Sequence, residues 1–337
     1  MTTVRAWAAE APAAPFKPFE YTLGPLGDDE VDIAVEYCGL CHSDQSMWEN
    51  EWGFSEYPFV GGHEVVGRVK DRGAEVNGLE IGQKVGLGWF SRSDLNTMQS
   101  LSGDHNLSPG NEGTIIRRHG GFADTVRCQW VWAVPLPDDL SIESAGPLFC
   151  GGITVFNPLV QYDIRPTDRV GVIGIGGLGH LALKFLSRWG CEVTAFTSSP
   201  DKADEAISLG AHRTLNSRDP DAWAQARGRF DLLLSTVAVD LDWDALADTL
   251  SARGRLHLVG VAPSPVALHA SKLMGQQRSY SSSPLGAPAV TAKMLDFCAR
   301  HDIAPQTELF DMSRINEAFE HLKANKARYR IVLKNDF

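Results

Sequence analysis

Two textures of apolar and polar positions divide the chain. Up to about residue 150, short runs rich in Val, Ile and Phe are separated by Gly, Pro and Asp turns, most clearly over residues 31–35, 65–69, 84–88 and 122–127. Short strands punctuated in this way predict an antiparallel, barrel-like unit. From residue 168 to 286 the apolar, β-rich runs 169–173, 192–196, 230–235 and 255–259 alternate with helix-type stretches such as 178–189 and 243–252. That alternation predicts parallel strands joined by crossover helices. After Gly286, helical stretches over 288–300 and 315–324 lead to a closing strand at 329–333. By pattern alone, this last segment fits either unit.

Composition narrows the class. A length of 337 residues corresponds to about two domains, and 43% apolar with 22% charged residues is ordinary for globular chains. Thirty-one Lys and Arg stand against 42 Asp and Glu, and a net charge of −11 repels phosphate backbones and anionic headgroups. Nucleic acid is therefore not an expected partner. The longest apolar run, 170–186, is interrupted by five Gly, His180 and Lys184, so no membrane span is expected. The opening MTTVRAWAAEAPAAPFKPFEY has no continuous apolar core of the signal-peptide kind, which predicts a cytoplasmic protein. Its six cysteines (38, 41, 128, 150, 191 and 298) then point to metal ligation or burial rather than to disulfides.

The run Gly174-Ile-Gly176-Gly177-Leu178-Gly179 follows one predicted strand and opens a predicted helix. In that context the glycines allow a tight turn and close backbone approach, and the helix start offers free N–H groups to a pyrophosphate. An NAD site calls for a carboxylate at the tip of the second strand, roughly 20 residues on. Here the tip reads Thr197-Ser198-Ser199-Pro200-Asp201-Lys202. Hydroxyls and a lysine suit a 2′-phosphate, so NADP(H) is the expected cofactor, although Asp201 weakens the positive field.

Cys38-Gly-Leu-Cys41-His42 spells a redox CxxC, a haem CxxCH and half of a zinc knuckle. Haem attachment needs export, a thioredoxin-like motif needs its own βαβ unit, and a knuckle needs a second close pair. What remains is one cysteine ligating a site completed from afar, with Gly61-Gly62-His63-Glu64 and Cys150 as available partners. A lone buried cysteine is more commonly a small hydrophobe, and spacing alone does not connect residues 41, 63 and 150.

CGLCHSD, NEWGFSEYPFVGGHEVVGRV, GPLFCGGITVF and VGVIGIGGLGHLALKF, in this order, resemble the zinc-dependent medium-chain dehydrogenase/reductases. The branch is similar to the cinnamyl alcohol dehydrogenases, and within it to bacterial broad-range NADPH-dependent aldehyde reductases. The likeness runs from residue 20 to the end of the chain. It implies an α/β protein: a GroES-like β-barrel catalytic domain over 1–149 and 287–337 around an inserted Rossmann domain, a doubly wound parallel sheet, over 150–286.

The resemblance further implies a catalytic zinc held by Cys41, His63 and Cys150 in the cleft between domains, with Glu64 able to ligate in the resting state and Cys38 serving only packing. Two thiolates and a neutral imidazole cancel the ion's charge and leave a fourth position open. Asp44 matches the carboxylate that orients His63. Ser43 matches the hydroxyl that relays a proton to or from the substrate oxygen. Relatives often continue the relay to a His three residues later, and Ser46 occupies that position here. His42 and Arg330 match contacts to the cofactor pyrophosphate, and Thr197, Ser198 and Lys202 match the branch's NADP positions. Trp48, Trp52 and Trp89 fall in segments that line the substrate cleft, suggesting an apolar or aromatic aldehyde.

The structural zinc common in such enzymes is expected to be absent. Asp94, Thr97, Ser100 and Ser108 hold its four cysteine positions, so the lobe is expected to rest on packing and turns, or to move. The implied activity is NADPH-dependent reduction of an aldehyde to a primary alcohol, reversible, by a homodimer whose partners are small aldehydes and alcohols. A non-catalytic NADP(H) sensor and a thiol-redox protein using Cys38 and Cys41 are the rival classes.

Overall fold

In the computed structural model, which describes residues 2–198 and 201–337, the chain divides into Met1–Ile153 with Leu285–Phe337 and Thr154–Pro284. Where the sequence reading puts the boundaries at 149/150 and 286/287, the division falls inside the helix Gly151–Gln161 and just before the helix Pro288–His301.

In the first unit, Val31, Ile33 and Val35 alternate along the strand Glu30–Leu40 and enter the core, the period-2 pattern of a strand. Between them, Asp32 is 2% exposed and is held by Arg127, whose Nε and Nη2 donate to its two oxygens at 2.7 and 3.0 Å. A carboxylate can occupy a buried strand when bidentate pairing replaces its water. This strand pairs antiparallel with Glu64–Arg72, Thr125–Gln129 and Arg330–Lys334, and Glu64–Arg72 continues the sheet to Lys84–Leu87. Arg330–Lys334 also takes Thr307–Asp311 as a parallel neighbour, so the last 50 residues complete this first unit.

The second unit carries six parallel strands in the spatial order Arg213–Asn216, Glu192–Thr197, Arg169–Ile173, Phe230–Ser235, Leu250–Leu258 and Ser279–Ser282. Numbered by sequence this is 3-2-1-4-5-6, the doubly wound order, with its switch point between Arg169–Ile173 and Phe230–Ser235. Those two strands are apolar along nearly their whole length, as a parallel sheet covered on both faces requires. The expected helix over 243–252 stops at Thr249. Leu250 is fully buried in the apolar core and pairs with Phe230, so the strand begins there and shifts register before Leu232 pairs with Arg255. Among the described residues, no helix is long and apolar enough to cross a membrane.

His257 lies on the Leu250–Leu258 strand, fully buried, with Ser281 Oγ 2.9 Å from Nδ1 and Ser283 Oγ 3.0 Å from Nε2. The Tyr162 ring meets it edge-on at 5.2 Å, and Arg255 lies over that ring. Burial, and secondarily Arg255, push its pKa down to about 4. The unfolded chain thus binds this proton from about pH 6.5 downward while the fold resists it, so stability present above pH 6.5 is lost as pH falls towards 4. Between pH 7.5 and 5 the cost is about 2 kcal/mol. Urea melts at both pH values should show His257→Gln losing that part of the pH dependence; an unchanged difference would mean that His257 does not contribute to it.

Candidate active site

Asp44 organises the site. It sits in the short helix His42–Trp48, fully buried, and its carboxylate accepts from Cys41 N at 3.0 Å and Gly62 N at 2.8 Å. Its Oδ1 also lies 3.0 Å from His63 Nδ1. With Nδ1 donating to Asp44, the His63 Nε2 lone pair points into the protein, and this buried atom has no partner among the described residues. Cys41, Glu64 and Cys150 supply three further donors, and the ligand atoms of all four residues lie within 4.8 Å of one another. The Cys41 and Cys150 sulfurs are 3.9 Å apart. A tetrahedral zinc with 2.3 Å bonds to sulfur needs an edge of about 3.8 Å. An orphaned imidazole nitrogen and two thiols at that spacing fit the ion.

The electrostatics agree with that fit. The Cys150 contact holds the Cys41 thiol well below the usual range against the effect of burial, helped by Arg330 and His63, and the same contact pushes Cys150 up. Two thiols this close share one proton until a divalent cation claims both. Burial opposes charge on His63, whereas Asp44 and Cys41 raise its pKa. Burial pushes Glu64 up to about 7 against the pull of Arg330.

Arg330, only 5% exposed, donates from Nη2 to Glu64 Oε1, while Glu64 Oε2 and Arg330 Nε are buried without partners among the described residues. Strand register explains how residues so far apart in sequence meet. Gly39 pairs with Glu64 on one side and with Val332 on the other. A Cβ on Gly39 would lie 2.0 Å from Glu64 Oε2, so only glycine leaves that carboxylate its place.

Ser43 Oγ is 3.9 Å from the Cys41 sulfur, and His42 is exposed at the helix start. Ser46 Oγ donates to Glu51 at 2.6 Å, so its hydroxyl is engaged away from Ser43. Cys38 is fully buried, its thiol pushed well above the ordinary range by burial and donating to Gly39 O at 3.6 Å.

The three tryptophans separate. Trp89 stands edge-on to the His63 ring at 5.0 Å and to Trp52 at 5.9 Å. Trp52 in turn reaches Phe54 at 5.8 Å, and both are more than 40% exposed. Phe54 escaped the sequence reading; the bend at Gly53, φ +76°, sets it beside Trp52. Trp48 is corrected: it is 5% exposed, packs on Phe16 and Phe319, and donates from Nε1 to Ala14 O at 2.7 Å. It is part of the core because its indole faces these rings rather than the Trp89 wall.

In the second unit, Gly174 adopts φ +87°, and Thr236 Oγ1 donates to the carbonyls of Ile173 and Gly174 at 3.0 and 2.9 Å. A Cβ on Gly179 would meet Gly174 O at 1.9 Å, whereas one on Gly176 would meet nothing within 4 Å. The turn is thus closed by Gly174 and Gly179 and open at Gly176, with Gly177 and Leu178 leading into the helix Gly179–Trp189, as a pyrophosphate cradle requires. Thr197 ends its strand buried, Ser198 and Lys202 are exposed, and Ser199 lies outside the described residues. Ser198 and Gly174 line one cavity of about 690 Å³. This cradle and cavity fit a dinucleotide.

Residues 27–138 match the alcohol dehydrogenase GroES-like domain and residues 177–300 the zinc-binding dehydrogenase domain. Aldehyde reductase AdhA of a Synechocystis strain is 52% identical over 98% of this chain and 99% of its own length. The chain belongs to the zinc-dependent medium-chain dehydrogenase/reductases. Within this family it falls in the cinnamyl alcohol dehydrogenase branch. The Sorghum bicolor cinnamyl alcohol dehydrogenase structure superposes with TM-score 0.93 at 34% identity, covering 99% of this chain and 98% of that one. The Helicobacter pylori enzyme of that name, solved with NADP(H), reaches 0.88 at 27% identity, covering the same shares. As in the family, the fold joins a GroES-like domain to a Rossmann domain.

The lobe of the lost cysteines has its own interior. Thr97, Ser100 and Ser108 direct their hydroxyls at the carbonyl of Asp94, at 3.2, 2.7 and 3.1 Å. Thr97 and Ser108 also meet each other at 3.0 Å. Three of the four side chains thus converge on the main chain of the fourth, while the Asp94 carboxylate accepts from Asn96 N at 2.9 Å.

Proposed function

We propose that this enzyme reduces aldehydes to primary alcohols with NADPH, reversibly, at one zinc per chain held by Cys41, His63 and Cys150. The carrying observation is the orphaned His63 Nε2 facing two thiols 3.9 Å apart. The similarity to an aldehyde reductase, and at 35% identity to NADP-dependent alcohol dehydrogenases of Mycolicibacterium smegmatis, supports the same reaction.

When bound, the zinc supplies Lewis acidity toward a carbonyl oxygen and NADPH supplies the hydride. The chain's residues do the rest. Asp44 fixes the His63 tautomer and ring. Ser43 hands its hydroxyl proton to the oxygen of the forming alcohol and recovers one from solvent or His42. Glu64 is the carboxylate available in the resting state, with Arg330 holding its other oxygen. Trp89, Trp52 and Phe54 form an apolar wall beginning 5.0 Å from the His63 ring, suited to aromatic or long aliphatic aldehydes. His42 and Arg330 are the proposed contacts to the cofactor pyrophosphate, for which Arg330 Nε, without a partner among the described residues, is a suitable donor. Thr197, Ser198, Ser199 and Lys202 hold the 2′-phosphate. The enzyme acts in the cytoplasm as a homodimer, a reading supported by the open edge of the Ser279–Ser282 strand and by Met274, 77% exposed, just before it.

Initial rates over aliphatic, terpenoid and aromatic aldehydes with both cofactors test this. NADPH should be preferred, and Lys202→Ala should weaken NADPH about 10- to 100-fold while barely changing NADH, as a lost charge-assisted hydrogen bond requires. Equal kcat/KM with the two cofactors would overturn the cofactor assignment. NADPH binding without aldehyde-dependent oxidation would leave the non-catalytic sensor.

A further inference from the structure

The strand Arg213–Asn216 pairs in parallel with Glu192–Thr197, placing Asn216 beside Thr197. Past that pair, Ser217 N donates to Thr197 O at 2.9 Å and Arg218 N donates to Asn216 Oδ1 at 3.0 Å. The two strand tips therefore leave the sheet side by side. Ser198 and Arg218 line the same cavity of about 690 Å³, with Gly174 at the phosphate-cradle turn. Arg218 is the one cation on that wall among the described residues; it is exposed, and no ion pair engages it.

The nearby carboxylates are committed elsewhere. Asp242 accepts from Ala245 N, capping a helix, and Asp240 accepts from Ser264 N and Oγ at 3.2 and 2.8 Å. Trp223, its indole N–H fixed on Ser217 O at 3.0 Å, and Phe196 supply the apolar walls that a purine ring would use. Arg218 instead follows the tip of its strand and lines the same cavity as Ser198.

From this placement we propose that Arg218 is a specificity-determining residue that grips the 2′-phosphate of NADP(H), from the strand next to the one carrying Ser198. The proposal rests on the NADPH reading above and adds to it a residue from a different strand. A guanidinium offers two parallel N–H donors to a phosphate, whereas Lys202 offers a point charge. No carboxylate has to stand at the second strand tip for the ribose, because Arg218 and the hydroxyls select the phosphorylated form.

Calorimetric titration of wild type, Arg218→Ala and Arg218→Lys with NADPH, NADH, adenosine 2′,5′-bisphosphate and AMP separates the possibilities without any turnover. Arg218→Ala should raise Kd about 10- to 100-fold for NADPH and the bisphosphate, and leave NADH and AMP within about twofold, which also shows that the pocket is folded. Arg218→Lys should recover part of the loss. If wild type discriminates the bisphosphate from AMP and Arg218→Ala does so equally well, the inference is overturned while the NADPH reading stands. Equal weakening of NADPH and NADH would make Arg218 an adenine-packing residue and also overturn it. A wild type blind to the 2′-phosphate would overturn both.

Discussion

Elemental analysis of the purified enzyme should return one zinc per chain, and Cys41→Ala or Cys150→Ala should remove metal and activity together. The two sulfurs 3.9 Å apart supply the negative charge that binds the ion, and removing one leaves a neutral imidazole and a single thiolate. Glu64 can offer its Oε2, but a carboxylate is a harder and weaker zinc ligand than the thiolate that is lost. Lewis-acid polarisation contributes several kcal/mol to such a barrier, so turnover should fall by more than about 1000-fold. Two tightly held zincs per chain would place a second ion in the lobe around Asp94; a variant that keeps its zinc would take that cysteine out of the ligand set.

Ser43→Ala should lower kcat about 100- to 10,000-fold with zinc content unchanged, the usual range for losing a general acid-base group. Ser43 Oγ lies 3.9 Å from the Cys41 sulfur, whereas Ser46 is tied to Glu51 at 2.6 Å. Ser46→Ala should accordingly stay within about twofold of wild type. Near-normal turnover in Ser43→Ala would show that water protonates the product directly.

Both textures of the chain were legible because each is a one-dimensional consequence of burial: alternation where a strand has one wet face, and continuous apolar runs where it has none. The start of the strand at Leu250 was not, because its pairing with Phe230 comes from a distant segment and overrides a local helical pattern. The donor set shows the same limit. Nothing in spacing connects Cys41, His63 and Cys150; the resemblance supplied the set, and Asp44 supplies its physical reason by tying Cys41 N, Gly62 N and His63 to one carboxylate. Trp48 misled because a tryptophan near a candidate site reads alike whether its indole meets Phe319 or open space. Arg218 was invisible because the pairing that sets its strand tip beside the neighbouring one, Asn216 with Thr197, is fixed only by register.

The hydroxyl cluster around the Asp94 carbonyl separates the fate of the lobe from that of the catalytic metal. A lobe closed by four thiolates answers to the metal supply and to oxidants, since losing the ion exposes cysteines that oxidise and cross-link. Thr97, Ser100 and Ser108 have no such chemistry: they neither lose electrons to peroxide nor surrender a partner to a chelator. Loss of zinc therefore leaves the contacts that close this lobe in place, and the oxidisable side chain the lobe itself exposes is Met98, 72% exposed, rather than any of these three.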